Sequence, residues 1–241
     1  MLRLVLIVGG SELALFVATR LIISHWSAWE WQPELLRTVC RAAETFVLWY
    51  FFRNVIFSGV PNIDGVRHPR FLAALAVIFA VPLLIGNWAS FMGPFTRAVF
   101  AATSVVVGVH EEFLFRGIIQ NVIERHLGTL KAIGITSAVM TVWHLGALPL
   151  NFFNFWQVFA LSTVSGLIYA ATRSIWLVVA EHAAYDAIWS VTPALATPLE
   201  WHWGSLLLLV ALLLTWSWAR SAYWPNPAVQ GTLRDKAAQR P

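Results

Sequence analysis

Six side chains set in otherwise apolar stretches have the makings of a proton-transfer site: Glu111, Glu112, Arg116, His144, His182 and Asp186. An ionisable group in the middle of a long hydrophobic run is costly to hold in hydrocarbon, so it is by default a functional candidate. In the run His110-Glu111-Glu112-Phe113-Leu114-Phe115-Arg116, Glu112 and Arg116 stand four residues apart. On a helix they are neighbours on one face, where opposite charges offset each other's burial. Glu111 points about 100° around the helix from Glu112, so one carboxylate can stay committed to the arginine while the other is left to move protons. His182 and Asp186 are also four apart, which lets the carboxylate fix the imidazole tautomer through one ring nitrogen. His144 stands alone in its stretch and needs tertiary packing to meet the others. His110 and Glu181 read as flanking groups.

Taken singly, each of these groups also has a structural reading. Glu112 with Arg116 can be an ion pair that locks two helices, and a lone intramembrane histidine is often an interhelical hydrogen-bonding residue. Two glutamates and two histidines include plausible zinc ligands. Their spacing is not the HExxH pattern, however, adjacent glutamates diverge on a helix, and Arg116 would repel a cation. A site without cofactor or metal is therefore expected, with zinc the disfavoured alternative. Cys40 is the only cysteine, so neither an intrachain disulfide nor a cysteine-based zinc site is open to the chain.

The elements that must position these groups follow from composition. Of 241 residues, 59% are hydrophobic and 12% charged, with a mean hydropathy of +0.68; soluble domains carry about a quarter charged residues. A water-soluble core cannot hide so much apolar surface, whereas helices packed in lipid need not. Runs of about 20 mostly apolar residues predict eight spans: 2–23, 36–58, 71–91, 97–120, 130–149, 153–172, 175–193 and 203–222. Proline and glycine at Pro33, Gly93-Pro94, Pro193 and Pro198 read as loop punctuation between them. The expected architecture is an all-α, polytopic membrane helix bundle: one transmembrane domain over 1–224, with its motif-bearing core at about 97–190, and a polar, disordered cytoplasmic tail over 225–241.

The run after Arg3 resembles a signal peptide, but Glu12 interrupts it and no small-x-small cleavage site precedes Arg20, so it reads as a retained first span. In the second span, Glu44 is expected to pair with Arg41, three residues before it. The net charge of +4 comes from scattered lysines and arginines, which argues for membrane orientation and against nucleic acid. If the spans alternate, Arg3, Arg53, Arg67, Arg70, Arg125, Lys131, Arg173, Arg220 and the tail cations share one side, and Arg20, Arg37 and Arg97 the other. The positive-inside rule then places both termini in the cytoplasm, as for a multi-pass protein of a bacterial inner membrane. Trp26, Trp29, Trp31, Trp88, Trp201 and Trp203 would form an outer aromatic belt, and Trp216, Trp218 and Trp224 an inner one.

Taken together and in order, the motifs resemble those of the CAAX-protease and bacteriocin-processing (CPBP) family of glutamate-type intramembrane endopeptidases. Its first motif, two glutamates followed after three residues by arginine, is intact as Glu111-Glu112-Phe113-Leu114-Phe115-Arg116, with Gly117 following. The second, phenylalanine with histidine four later, is present as Met140 and His144, where methionine implies altered packing near the site. The third, histidine with asparagine or aspartate four later, is present as His182 and Asp186.

The resemblance implies hydrolysis of a peptide bond in a membrane-anchored protein or peptide by water, with no covalent enzyme intermediate. Glu111, helped by His144, would deprotonate the water; Glu112 and Arg116 would hold the substrate backbone; His182 and Asp186 would stabilise the oxyanion. Because an ionised aspartate repels an oxyanion, Asp186 is expected to orient His182 as the donor. A cavity open to the cytoplasm would let water and substrate meet. A non-proteolytic alternative, a bacteriocin-immunity or partner-binding scaffold, would keep the ion pair for packing and need neither histidine. A proton-coupled transporter is disfavoured because the chain lacks repeated halves.

Overall fold

The computed structural model of the chain describes residues 2–23, 30–86, 93–145, 151–192 and 198–223. Among them there is no strand, and eight helical rods follow one another: α1 (Leu2–Ile23), α2 (Trp31–Ile56), α3 (Pro69–Ile85), α4 (Pro94–Leu127), α5 (Thr129–Trp143), α6 (Phe152–Thr172), α7 (Ile175–Val191) and α8 (Pro198–Tyr223). The all-α expectation holds, and the number of helices among the described residues equals the number of spans expected. By length and composition, three helices are long and apolar enough to cross a membrane, Pro94–Leu127, Phe152–Thr172 and Trp201–Ser221; Pro69–Ile85 and Thr129–Trp143 are shorter apolar helices.

The helix ends differ from the sequence reading for one recurrent reason. Pro33, Pro94 and Pro198 lie in the first turns of α2, α4 and α8 and not in loops. A first-turn proline lacks only an N–H that has no helical partner anyway, and its fixed φ suits the helix. At the other end, α4 runs past residue 120 to Gly128, whose φ of +80° stops it. Elsewhere polar side chains set the starts: His68 Nδ1 accepts from Arg70 N at 3.2 Å, Asn151 Oδ1 from Asn154 N at 2.8 Å, and Ser174 Oγ from Leu177 N at 3.3 Å.

Contacts place Arg173 and Arg97 at opposite ends of the bundle. At one end Arg173 donates to both oxygens of Glu124 at 2.6 and 2.7 Å, Thr129 donates to Glu124 at 2.6 Å, and Asn62 N donates to Thr172 O at 2.7 Å. This end therefore gathers the 57–68 connection, the end of α4 and the α6–α7 turn. Burial alone would lower the Arg173 pKa, but the hydrogen bonds and charge of Glu124 outweigh it and hold the guanidinium above its ordinary value. At the opposite end Arg97 donates to Val191 O at 3.4 Å and Thr192 to Pro82 O at 3.1 Å.

Two expectations change. Arg41 pairs with Glu34 at 3.4 Å, not with Glu44, because α2 extends back to Trp31 and brings Glu34 within reach of Arg37, Arg41 and Thr103. Trp31 and Trp203 are exposed as belt residues are, but Trp218 is fully buried against Phe71 and donates to Gly65 O at 3.0 Å; it is a core residue. Trp26, Trp29, Trp88, Trp224 and the 225–241 tail lie outside the described residues.

The main core runs through Leu48, Phe52 and Ile56 of α2, Phe113–Phe115 of α4, Ile168 and Tyr169 of α6 and Trp218 of α8. α4 is its axis, packing most extensively against α7 and also against α2. Glycines permit the close approach: a Cβ on Gly117 would lie 3.0 Å from the Ile56 side chain, and one on Gly108 would lie 3.2 Å from Ala183 N, Ala183 Cβ and Val179 O. The second contact sits one turn from Glu112 and one residue from His182, so it sets the distance across the site.

Candidate active site

The two glutamates close the α-helical part of α4, and a π-helical stretch, Phe113–Gln120, follows them. Wider π turns recur at functional sites because they re-aim side chains that a regular helix would stack. At 34 residues α4 is far longer than the bilayer core requires, and Glu111 and Glu112 stand near its midpoint.

All six residues singled out in the sequence meet here. Glu112 Oε2 is 3.1 Å from Arg116 Nε, and its Oε1 is 2.7 Å from His182 Nδ1. Glu111 Oε2 lies 3.7 Å from His182 Nε2 and 3.8 Å from His144 Nε2. Asp186 Oδ2 lies 3.4 Å from His182 Nε2. The glutamates thus diverge about the helix as their spacing predicts, with His182 lying between them.

Hydrogen bonding fixes which ring nitrogens do what. His144 Nδ1 lies 2.8 Å from Met140 O. A carbonyl can only accept, so Nδ1 carries the proton and, in the neutral ring, the Nε2 lone pair faces Glu111. For His182 the short contact is to Glu112, and Asp186 lies on the opposite nitrogen at a longer distance. The carboxylate best placed to orient His182 is therefore Glu112, not Asp186 as expected. The reason is tertiary: the Gly108–Ala183 approach brings α7 closer to α4 than the helix spacing within α7 brings Asp186 to His182.

Burial grades the site from its interior to its edge. Side-chain exposure rises from 0% at Glu112 and 1% at Arg116, through 13% at His182 and 19% at His144, to 34% at Asp186. Glu112 and Arg116 are thus enclosed, with Glu112 in contact with both Arg116 and His182. The exposed edge of the site is at Asp186, on the half of α7 nearer Val191.

Residues not singled out complete the pocket wall. Arg116 Nη2 donates to Ser162 Oγ at 3.0 Å and lies 3.6 Å from Met140 Sδ. A thioether there offers the guanidinium a weak acceptor that phenylalanine lacks, which is how the altered second motif fits. Ser165, one turn after Ser162, donates to Glu181 Oε2 at 2.8 Å, so Glu181 ties α7 to α6 from beside the pocket, as a flanking group. Small polar residues at Ser162 and Ser165, three apart in an apolar helix, were the available signal.

His110 is not merely flanking. It is fully buried, with Nε2 3.2 Å from Glu44 Oε2 and 3.6 Å from Glu12 Oε1. Glu12 and Glu44 were read as an interruption and as half of a local ion pair; as ionisable groups in apolar spans they belonged with the candidates.

Both Glu112 oxygens are taken up by Arg116 and His182, which leaves the glutamate pair ill suited to a shared cation. What the pocket can do chemically is orient an imidazole with one carboxylate while a second carboxylate and a second imidazole act on a common third atom.

Residues 93–188 match the family model described as type II CAAX prenyl endopeptidase Rce1-like. No curated protein and no solved structure matches the chain. The matched residues, 93–188, hold all six converging side chains, so the part of the chain that carries the glutamate and histidine motifs is similar to a family of membrane proteases.

Proposed function

We propose that this protein is an intramembrane glutamic endopeptidase that hydrolyses a peptide bond of a membrane-associated protein or peptide with a water activated by Glu111. The observation that carries the proposal is the spacing of Glu111 Oε2 from the two imidazoles, 3.7 Å to His182 Nε2 and 3.8 Å to His144 Nε2. These gaps are too long for direct hydrogen bonds and short enough for one water to touch all three atoms. The water gives one hydrogen bond to Glu111 and one to the His144 Nε2 lone pair, which leaves an oxygen lone pair for attack.

Attack on the carbonyl carbon forms the tetrahedral intermediate as the water proton passes to Glu111. Doubly protonated His182 donates from Nδ1 to Glu112 and from Nε2 to the oxyanion. Collapse breaks the C–N bond, and Glu111 returns the proton to the leaving amine. Glu112 and Arg116 are positioning residues in this scheme, and Asp186 lies at the rim where substrate enters. No metal takes part at the glutamate pair, because Arg116 and His182 already serve both Glu112 oxygens. Both termini lie in the cytoplasm, as the distribution of basic residues between the two ends supports.

The test compares membranes carrying wild type with membranes carrying Glu111→Gln, a near-isosteric change that keeps the hydrogen-bonding shape and removes the base. Peptide mass spectrometry should find a membrane-associated peptide shortened only by wild type, and in H2(18)O the new carboxyl terminus should carry one labelled oxygen. Loss of general-base catalysis lowers turnover by about 10²–10⁴-fold. Cleavage by folded Glu111→Gln at the wild-type rate refutes the assignment, and a wild-type phenotype with no shortened peptide favours the scaffold reading.

A further inference from the structure

Outside the proteolytic pocket the bundle holds a second cluster of buried ionisable groups, drawn from three helices: Glu12 of α1, Glu44 of α2 and His110 of α4. One ligand atom from each lies within 4.8 Å of the other two. His110 is 0% exposed, the Glu44 side chain 4% and the Glu12 side chain 17%. Both ring nitrogens of His110, both oxygens of Glu44 and Oε1 of Glu12 lack a hydrogen-bond partner among the described residues. That concentration of unsatisfied buried polar atoms is unusual, since such groups are nearly always paired.

Two carboxylates in a dry helix junction need positive charge, and the nearby arginines are committed elsewhere: Arg37 and Arg41 pair with Glu34, and Arg116 with Glu112. We propose that Glu12, Glu44 and His110 form a binding site for one divalent transition-metal ion, which ties α1 to α2 and α4 behind the proteolytic pocket. A divalent ion neutralises both carboxylates, which the imidazole alone cannot do. The geometry fits: carboxylate and imidazole ligands about 2.0–2.2 Å from a tetrahedral ion stand roughly 3.3–3.5 Å apart. The His110 Nε2 separations of 3.2 Å from Glu44 and 3.6 Å from Glu12 bracket that range.

An outer partner is also in place. Trp143 Nε1 donates to Glu12 Oε2 at 3.0 Å, which turns the other oxygen toward the cluster. Mixed nitrogen and oxygen donors suit zinc(II) or a neighbouring transition ion better than magnesium, which favours oxygen alone. Three protein ligands leave a fourth position for water or the second oxygen of Glu44. None of these ligands belongs to the proposed proteolytic machinery, so the site stands or falls independently of it.

The experiment uses the full chain in detergent, stripped with a chelator, dialysed against Zn²⁺ and counted by elemental mass spectrometry. Wild type should retain about one zinc per chain, with Mg²⁺ failing to compete. Glu44→Gln and His110→Gln should lose it, and Trp143→Phe should weaken binding about tenfold or more. Glu111→Gln should keep full occupancy, which separates this site from the proteolytic acids. If Glu44→Gln does not give monodisperse protein, Glu12→Gln, at the most exposed ligand, gives the same reading. The proposal is overturned by a wild type that takes up no stoichiometric zinc, by zinc retained in folded Glu44→Gln or Glu12→Gln, or by zinc lost in Glu111→Gln.

Discussion

Replacing Arg116 with methionine, alone and together with Glu112→Gln, separates the two things the buried pair could be doing. The side chains are 3.1 Å apart with 0% and 1% of their surface exposed. At an effective dielectric constant of 20 the attraction across such a distance is about 5 kcal/mol. Breaking a buried pair from one side costs about 3–5 kcal/mol, because the surviving charge is left uncompensated. Arg116→Met should fall near the lower end, since Glu112 keeps its contact with His182 Nδ1 at 2.7 Å. Glu112→Gln should cost at least as much, since among the described residues the guanidinium is left with Ser162 Oγ and Met140 Sδ.

The double variant removes both charges of the pair together and should recover about 2–4 kcal/mol relative to the sum of the single changes. Reversible unfolding in mixed micelles, followed by circular dichroism, measures all four corners of the cycle. Proteolysis measured on the same preparations gives the second readout. If the pair serves to aim His182, the double variant regains stability without activity; if it is only a helix lock, both return. Single variants that lose less than about 1 kcal/mol, the range of exposed ion pairs, or strictly additive costs, would refute the claim that the pair is dry and mutually dependent.

Gly108→Val should open the α4–α7 contact, because its Cβ would lie 3.2 Å from Ala183 N and Val179 O, backbone atoms that cannot turn aside; the expected stability loss is about 1–3 kcal/mol. Turnover should fall about 10²-fold through misplacement of His182, and undiminished turnover would show that the close approach is not needed. Asp186→Asn should keep activity within about tenfold, ~1.4 kcal/mol of barrier, because Glu112 rather than Asp186 makes the 2.7 Å contact with His182; a hundredfold loss would reverse that assignment. Arg173→Ala should destabilise by about 1–2 kcal/mol through loss of its bidentate pair with Glu124, discounted for an arginine about one-third exposed. Arg173→Gly should be less damaging than Arg173→Ala, because φ is +53° at this helix cap. Equal unfolding midpoints for the two would remove the backbone argument.

What could be read in the sequence divides along a physical line. Residues whose partners are four apart on one helix, Glu112 with Arg116 and His182 with Asp186, were assignable because helix geometry alone makes them neighbours. The existence and order of the helices followed equally directly, since a 20-residue apolar run has few other fates. Their ends did not, because proline has two opposite local meanings: Pro33, Pro94 and Pro198 begin helices here, and a first-turn proline and a loop proline look alike in a string of letters. Partner choice across helices was beyond reach. Glu44 has an arginine three residues away and still faces His110, because Glu34, seven residues before Arg41, takes that arginine first.

The same logic explains why Glu112 rather than Asp186 holds His182. Sequence spacing fixes which side chains share a face, but a hydrogen-bond length is decided by how closely two helices approach, and Gly108 decides that here. A glycine in an apolar span is an ordinary residue until something small faces it, and Ala183, next to His182, is that residue. The pairing of a Cβ-free position on α4 with a single methyl on α7 brings the backbone of the third motif against the first. The chemistry of the pocket is thus carried by charged and imidazole groups but spaced by two of the smallest side chains in the chain. A variant that leaves every ionisable residue untouched can therefore disable it.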